Sequence, residues 1–261
     1  MKKLIVIKIG GNVIDDEKQL SSFLNDFSSI SGNKILVHGG GKIATELGKQ
    51  LGIEPKMIGG RRITDADTLR MVQMVYGGLI NKNIVAQLQA RNCNAIGLTG
   101  ADGNSILSRK RIVGKIDYGF VGDIVKINSN EISSLLKSGL SPVIAPLTHD
   151  GKGQMLNTNS DTIASAVASA LSRLYEVNLI YCFEKSGVLK NINDENSVIE
   201  KLNSKEYEKL KRDGVISEGM IPKIDNAFDA LKQGVRTGMI CYAKDLKKAA
   251  SNKKTGTRLE K

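Results

Sequence analysis

Five short segments carry residue types that bind and stabilise anions. Lys8-Ile9-Gly10-Gly11-Asn12 sets a lysine just before a glycine pair. Glycines let the backbone come close to a ligand and turn its N–H groups toward an anion, and Lys8 adds a full charge at the same spot. His38-Gly39-Gly40-Gly41-Lys42 is a glycine run opening a helical pattern. Helix N-termini offer free N–H groups and the positive end of the dipole, which suits phosphate or carboxylate. Gly60-Arg61-Arg62-Ile63-Thr64-Asp65 brings guanidinium groups able to clamp a carboxylate with two parallel hydrogen bonds. In Asn157-Thr158-Asn159-Ser160-Asp161, Asn157 suits a substrate amide or carboxylate, and Asp161 suits the orientation of lysines. Gly219-Met220-Ile221-Pro222-Lys223 puts Lys223 in the first turn of a predicted helix, where a cation opposes the dipole. A lysine set against its local field hints at function. Each segment alone also has a plainer reading, as a tight turn, a solvated basic turn or a helix cap.

The elements that position these segments follow from hydrophobic pattern. Candidate strands are Lys3–Ile9, Lys34–Val37, Ala95–Leu98, Pro142–Ala145, Asn178–Phe183 and Gly238–Tyr242. They are rich in Ile, Val and Leu on both faces, as in a parallel sheet covered on both sides. Between them lie candidate helices: Lys42–Leu51 closed by Gly52, Asp65 to about Arg91, Ser160–Leu174, and one from Pro222 to Leu231 with Gly234 after it. Thr64 with Asp67 three residues on resembles a capping box, and Gly77-Gly78 inside the long helix implies close packing. Arg111 to Asn128 alternates, is broken by glycines, and reads as hairpin strands. The order predicts a three-layer αβα sandwich with a mainly parallel central sheet, its ligands beyond the carboxyl ends of the strands.

Composition narrows the function classes. The chain has 261 residues, enough for one large α/β domain or two joined lobes. No run approaches the ~20 apolar residues of a membrane helix. Met1 to Ile9 could mimic a signal peptide, but Lys8 interrupts its apolar run and no cleavage site follows, so it reads as a buried strand of a cytoplasmic protein. Cys93, Cys182 and Cys241 suggest buried thiols, with neither a disulfide framework nor a metal knuckle. The net charge of +11 invites nucleic-acid binding, yet aromatics are only 4% with no Trp, so stacking platforms are scarce. Part of the excess, Lys244, Lys247, Lys248, Lys253, Lys254, Arg258 and Lys261, reads as a solvated basic tail. The glycine run at 39–44 also matches a loose dinucleotide fingerprint, but after the second strand rather than the first. His-Gly-Gly-Gly resembles an esterase oxyanion loop, without the Gly-x-Ser-x-Gly elbow such enzymes need. A phosphate loop ending Gly-Lys-Ser/Thr is absent. His38 reads as structural, since the glycines account for the site without it.

In their order, the five segments resemble the amino-acid-kinase family, in the branch that phosphorylates N-acetyl-L-glutamate. Gly97-Leu98-Thr99-Gly100-Ala101-Asp102-Gly103, Gly119-Phe120-Val121-Gly122-Asp123 and Gly256-Thr257-Arg258 agree with it, so the likeness runs nearly the whole chain. It implies ATP with Mg²⁺ and a side-chain carboxylate as acceptor, giving an acyl phosphate in arginine biosynthesis. Residues 1–174 would bind the acylglutamate and dimerise, and residues 175–261 would bind ATP. Lys8 and Lys223 would stabilise the transition state, with Asp161 holding both. Gly11 and Gly40 would contact the phosphoryl group, and Gly40, Gly41, Arg62 and Asn157 the acylglutamate. Glu184, Lys185, Ser186, Gly187, Val188 and Leu189, with Val215, Ile216 and Ser217, would line the nucleotide. No metal ligand is assigned. The partners implied are the N-acylglutamate, ATP and a second copy in a homodimer, with no nucleic acid and no membrane. Relatives inhibited by arginine carry an extra N-terminal helix; this chain starts at strand one, which implies insensitivity. The family's usual Asp-Val before x-Gly-Val-Leu is Glu184-Lys185 here, a departure within the nucleotide segment. N-succinylglutamate or carrier-bound aminoadipate are alternative acceptors, and a dinucleotide-binding protein using Gly39–Gly41 is a distant alternative.

Overall fold

The computed structural model describes every residue but 59, 60, 115, 217, 218 and 261, with the backbone alone at 41 and 61. The chain runs β1 (Lys3–Ile9), α1 (Gly11–Ile14), α2 (Glu17–Ser29), β2 (Asn33–His38), α3 (Gly41–Gln50), and a short pair β3 (Met57–Ile58) and β4 (Arg61–Arg62). A long helix follows as α4 (Ala66–Val72), a π-helical segment (Gln73–Ile80) and α5 (Asn81–Gln89). Then come β5 (Ala95–Leu98), β6 (Ile106–Val113), β7 (Ile116–Ile127), α6 (Ser129–Lys137), β8 (Ser141–Ile144), β9 (Leu147–His149) and β10 (Met155–Asn157). The last third holds α7 (Ser160–Leu171), β11 (Glu176–Phe183), β12 (Lys201–Asn203), α8 (Ser204–Arg212), α9 (Ile221–Lys232), β13 (Thr237–Tyr242), α10 (Leu246–Ala250) and β14 (Thr257–Glu260).

Eight strands form one sheet in the order β12-β14-β13-β11-β1-β2-β8-β5. All neighbours are parallel except β13 and β14. Strand side chains alternate between faces, and the core divides accordingly. Leu4 and Val6 join Val167, Leu171, Ile224 and Phe228 of α7 and α9 on one face. Ile7 and Ile9 join Phe23 and Phe27 of α2 and Leu69 and Val72 of α4 on the other. This is the three-layer αβα arrangement expected from the runs of Ile, Val and Leu. The expected division after residue 174 falls between α7 and β11, and the β1–β11 pairing carries the sheet across it. Strands β6, β7, β9 and β10 close a small barrel beside the sheet.

Several local expectations are refined. The predicted 111–128 hairpin is the longer β6–β7 pair. The long helix is capped by Asp65, which accepts from Thr68 N at 2.9 Å; the Thr64 hydroxyl donates instead to Arg62 O. Close packing holds at Gly77, where a Cβ would stand 3.2 Å from Leu147 Cδ1, but Gly78 has open space. The basic tail is not simply solvated. Leu246 and Ala249 are buried, and β14 pairs with both β12 and β13. Lys247, Lys248 and Lys254 remain outside, paired with Asp26, Asp245 and Glu200 in turn, and Lys261 lies outside the described residues. The three cysteines are buried and reduced.

One buried lysine is structural. Lys34 Nζ donates to Phe27 O, Ser28 O and Ile30 O at 2.9, 2.9 and 2.6 Å, closing the carboxyl end of α2. A cation there also meets the negative end of the helix dipole. Lys34→Met keeps the apolar stem and strands those carbonyls. The expected cost is about 2–3 kcal/mol, read as a lower urea midpoint of unfolding.

Candidate functional site

Lys8, near the carboxyl end of β1, continues the face of Leu4 and Val6, toward α7 and α9. Asp161 stands in the first turn of α7, whose N-cap Asn159 accepts from Thr162 N at 3.0 Å. A carboxylate suits that turn's dipole. Lys8 Nζ lies 2.7 Å from Asp161 Oδ1 in a buried ion pair. Lys223, in the first turn of α9, donates to Asp161 Oδ2 at 3.0 Å. The aspartate thus offsets the dipole penalty that Lys223 carries. Exposures of 7% and 6% put the Lys8 and Asp161 side chains inside the protein, while Lys223 at 22% keeps contact with the cleft. Burial works against the charged carboxylate of Asp161, but Lys8 and Lys223 outweigh it and hold its pKa below the ordinary carboxylate value. Two ammonium groups against one carboxylate leave a net positive charge beside the cleft. Tyr181, the register partner of Lys8 on β11, donates from its hydroxyl to Asp161 O at 3.0 Å, anchoring the start of α7.

The cleft above this triad has a volume of about 560 Å³. Its floor includes Gly10, Gly11, Gly39 and Gly40, which follow β1 and β2. Helices leave their first N–H groups without internal partners; Gly11 opens α1 and Gly40 caps α3. Gly40 allows no side chain, because a Cβ there would lie 2.5 Å from the Tyr76 ring and 2.8 Å from Ile80 Cδ1. One half of the cleft is walled by Arg62, Tyr76, Val121 and Asn157. Arg62 Nη2 donates to Thr45 Oγ1 at 2.8 Å, and Asn157 Nδ2 to Thr64 Oγ1 at 3.0 Å. Burial pushes the Tyr76 hydroxyl above its usual pKa, with Arg62 partly offsetting it. The other half is walled by Glu184, Lys185, Gly187, Val188 and Leu189 after β11, and by Val215 and Ile216 after α8. Thr257 ties that loop to β14 by accepting from Val188 N at 2.8 Å. Lys185 reaches away to Glu195 at 3.2 Å.

The profile of the amino acid kinase family matches residues 3–242. The acetylglutamate kinase of Cytophaga hutchinsonii is 58% identical over 261 residues, covering 99% of each chain. That decides the assignment. The chain belongs to the amino acid kinase family. The acetylglutamate kinase of Bacteroides thetaiotaomicron is 55% identical, over 100% of this chain and 99% of its own. Among solved structures, smu.665 from Streptococcus mutans is 31% identical with a TM-score of 0.80, over 99% of both chains. The shared fold is an α/β sandwich, and in this chain the cleft lies beyond the carboxyl ends of β1, β2 and β11.

Most of the residues singled out in the sequence meet at this one cleft of the family member. Lys8, Lys223, Gly11, Gly40, Arg62 and Asn157 line it, with Glu184, Lys185, Gly187, Val188, Leu189, Val215 and Ile216 opposite. Asp161 lies behind the two lysines rather than on the surface of the cleft. Ser186 is half-buried and outside the lining, Gly41 is described by its backbone, and Ser217 lies outside the described residues. The sequence pattern does not mark Tyr76 or Tyr181 as site residues. Each sits in an apolar pattern that reads as plain core, and only its hydroxyl marks it.

His38 is fully buried, and burial lowers its pKa from 6.5 to about 4, with the bond to Gly39 resisting. A folded-state pKa below the unfolded one means the unfolded chain takes up the proton first as the pH falls. Stability therefore declines between pH 6.5 and about 4, by up to ~3 kcal/mol from this group. Asp161 adds to the loss only at lower pH, as its depressed carboxyl protonates. Urea unfolding at a series of pH values is expected to show the decline in the native chain and a flatter profile in His38→Asn.

Proposed function

We propose that this chain transfers the γ-phosphoryl group of ATP to the side-chain carboxylate of N-acetyl-L-glutamate, giving an acyl phosphate and ADP. The observation that carries the reading is the buried Asp161 clamped between Lys8 and Lys223 at the floor of the cleft. The relatives named acetylglutamate kinase at 58% and 55% identity support the acetyl group over a succinyl group or a carrier-bound acceptor.

The chemistry needs no general base. A glutamate side chain, with a free pKa of about 4.3, is already ionised at neutral pH and attacks the γ-phosphorus directly. As its oxygen bonds to phosphorus, the bond from phosphorus to the β-phosphate oxygen breaks and ADP leaves. The difficulty is bringing one anion onto another, so catalysis rests on positioning and charge. In this reading Lys8 and Lys223 balance the charge on the phosphoryl oxygens, and Asp161 keeps both ammonium groups aimed. Backbone groups of Gly11 and Gly40 contact the same phosphoryl group. Gly40, Gly41, Arg62 and Asn157 hold the acylglutamate, with Arg62 on a carboxylate. The nucleotide lies along 184–189 and 215–217. Magnesium enters with ATP as part of the substrate and neutralises phosphate charge. Residues 1–174 would then serve the acceptor and residues 175–261 the nucleotide. The volume of about 560 Å³ is within the range of small-molecule sites.

The reading extends to a homodimer and to a cytoplasmic step of arginine biosynthesis. Met74 and Leu79, about half exposed on the outer face of the long helix, support a self-association surface in the acceptor half.

A hydroxamate assay with ATP and Mg²⁺ is expected to trap acyl phosphate from N-acetylglutamate and none from free glutamate. Product from N-succinylglutamate alone would move the acyl assignment, and no product from any of them would remove the reading. Lys8→Ala and Lys223→Ala are each expected to lower kcat by at least ~10², as for loss of an oxyanion donor. Normal turnover in both would refute the proposed mechanism. Asp161→Asn is expected to lower kcat more than it raises the KM for either substrate.

A further inference from the structure

His38 closes β2 and is fully buried, one residue before the glycines that floor the cleft. Its Nδ1 lies 2.8 Å from Gly39 O, and its Nε2 lies 3.1 Å from Asn81 Nδ2. The same amide nitrogen of Asn81 donates to Val143 O at 2.9 Å. A carbonyl oxygen only accepts, so Val143 fixes which end of the Asn81 amide faces the ring. His38 Nε2 must then accept, which leaves the ring proton on Nδ1, donated to Gly39 O. Both ring nitrogens are used, and burial holds the ring neutral.

The consequence lies in the next peptide. A trans peptide is planar, and its C=O and N–H point in opposite directions. The described chain has no cis peptide bond. Holding the Gly39 carbonyl toward the buried ring therefore turns the N–H of Gly40 the other way, away from the core. Gly40 lines the cleft, and the Tyr76 ring packs against its Cα from the side of the long helix. Glycines are otherwise free to rotate such a peptide, since no side chain resists it. Asn81 carries the restraint further. It begins α5, directly after the π-helical segment that holds Tyr76 and Ile80.

We propose that His38 is a positioning residue: by anchoring the Gly39 carbonyl it holds the Gly39–Gly40 peptide plane so that the Gly40 N–H is aimed at the transferring phosphoryl group. This rests on the phosphoryl-transfer reading above. His38 itself touches no substrate and moves no proton.

Two amide variants, each reproducing the position of one ring nitrogen, separate the two ring contacts. In His38→Asn the amide nitrogen can stand where Nδ1 stood and donate to Gly39 O, while the Asn81 contact is lost. In His38→Gln the longer amide can accept from Asn81 while the Gly39 contact is lost. The hydroxamate assay is expected to give His38→Asn a kcat within about threefold of the native enzyme, and His38→Gln a kcat lower by at least ~10-fold. The loss should stay below the 10²–10³ of deleting an oxyanion donor, and KM for ATP should change less than about threefold. Equal kcat values in the two variants would overturn the proposal, because a role in packing alone predicts that activity follows the melting temperature rather than the identity of the contact. If the native chain forms no acyl phosphate at all, the functional reading has failed on its own. The positioning claim is then read by NMR on ¹⁵N-labelled protein. It expects a neutral ring protonated at Nδ1, and a Gly40 amide shift that moves in His38→Gln and stays in His38→Asn. A ring protonated at Nε2, or the same shift in both variants, would overturn it.

Discussion

Asp161 is held between two ammonium groups, 2.7 Å from Lys8 and 3.0 Å from Lys223, with almost no exposure of its own. Burying a carboxylate and a lysine costs several kcal/mol per ion unless each finds its counter-charge. The triad therefore requires three separate elements to arrive together: the end of β1, the start of α7 and the start of α9. Packing of α7 and α9 on one face of the sheet brings them there, through Val167, Leu171, Ile224 and Phe228. The Tyr181 hydroxyl on Asp161 O adds a direct tie from the neighbouring strand. What remains after the pairing is one excess positive charge at the floor of a cleft lined with glycine backbone. That is an environment built for anions.

The glycine loops and the triad divide the work. Charge supplies attraction that acts over several ångströms, whereas backbone N–H groups supply direction at hydrogen-bond distance. Glycine gives the close approach but no rigidity of its own. Rigidity comes from what surrounds the loops: the Tyr76 ring against Gly40, the Gly10 N–H bonded to Cys182 O at 2.9 Å, and the neutral ring of His38 on Gly39. The long helix takes part through its π-helical turn, a distortion often found at functional sites. It carries Tyr76 and Ile80 against Gly40, on the Arg62 side of the cleft.

Much of this was legible in the residues. The strand at Lys3–Ile9 and the strand at Ala95–Leu98 were bounded as they occur, because runs of branched residues ended by glycine or polar residues leave little choice. The glycine segments and Lys223 were legible because their types go against local expectation. Less legible were the cap of the long helix, the π-helical turn and the fate of the basic tail. Thr64 and Asp65 both suit a cap, and only the pairing of Thr64 with Gly119 decides between them. In the tail, Leu246 and Ala249 are too few to announce a docked helix among so many lysines.

The sequence by itself determined the inventory: two lysines, an aspartate, an arginine and four glycine-bearing turns, with strand and helix periods that end at each of them. Those properties are local, because propensity, period and turn chemistry act over a few residues. Only the tertiary structure decided that Lys8, Asp161 and Lys223 share one point, that Tyr181 and Tyr76 serve it, and that His38 faces Asn81. Those contacts span 20 to 153 positions along the chain, and they exist because burial of the two apolar sheet faces brings distant strands and helices together.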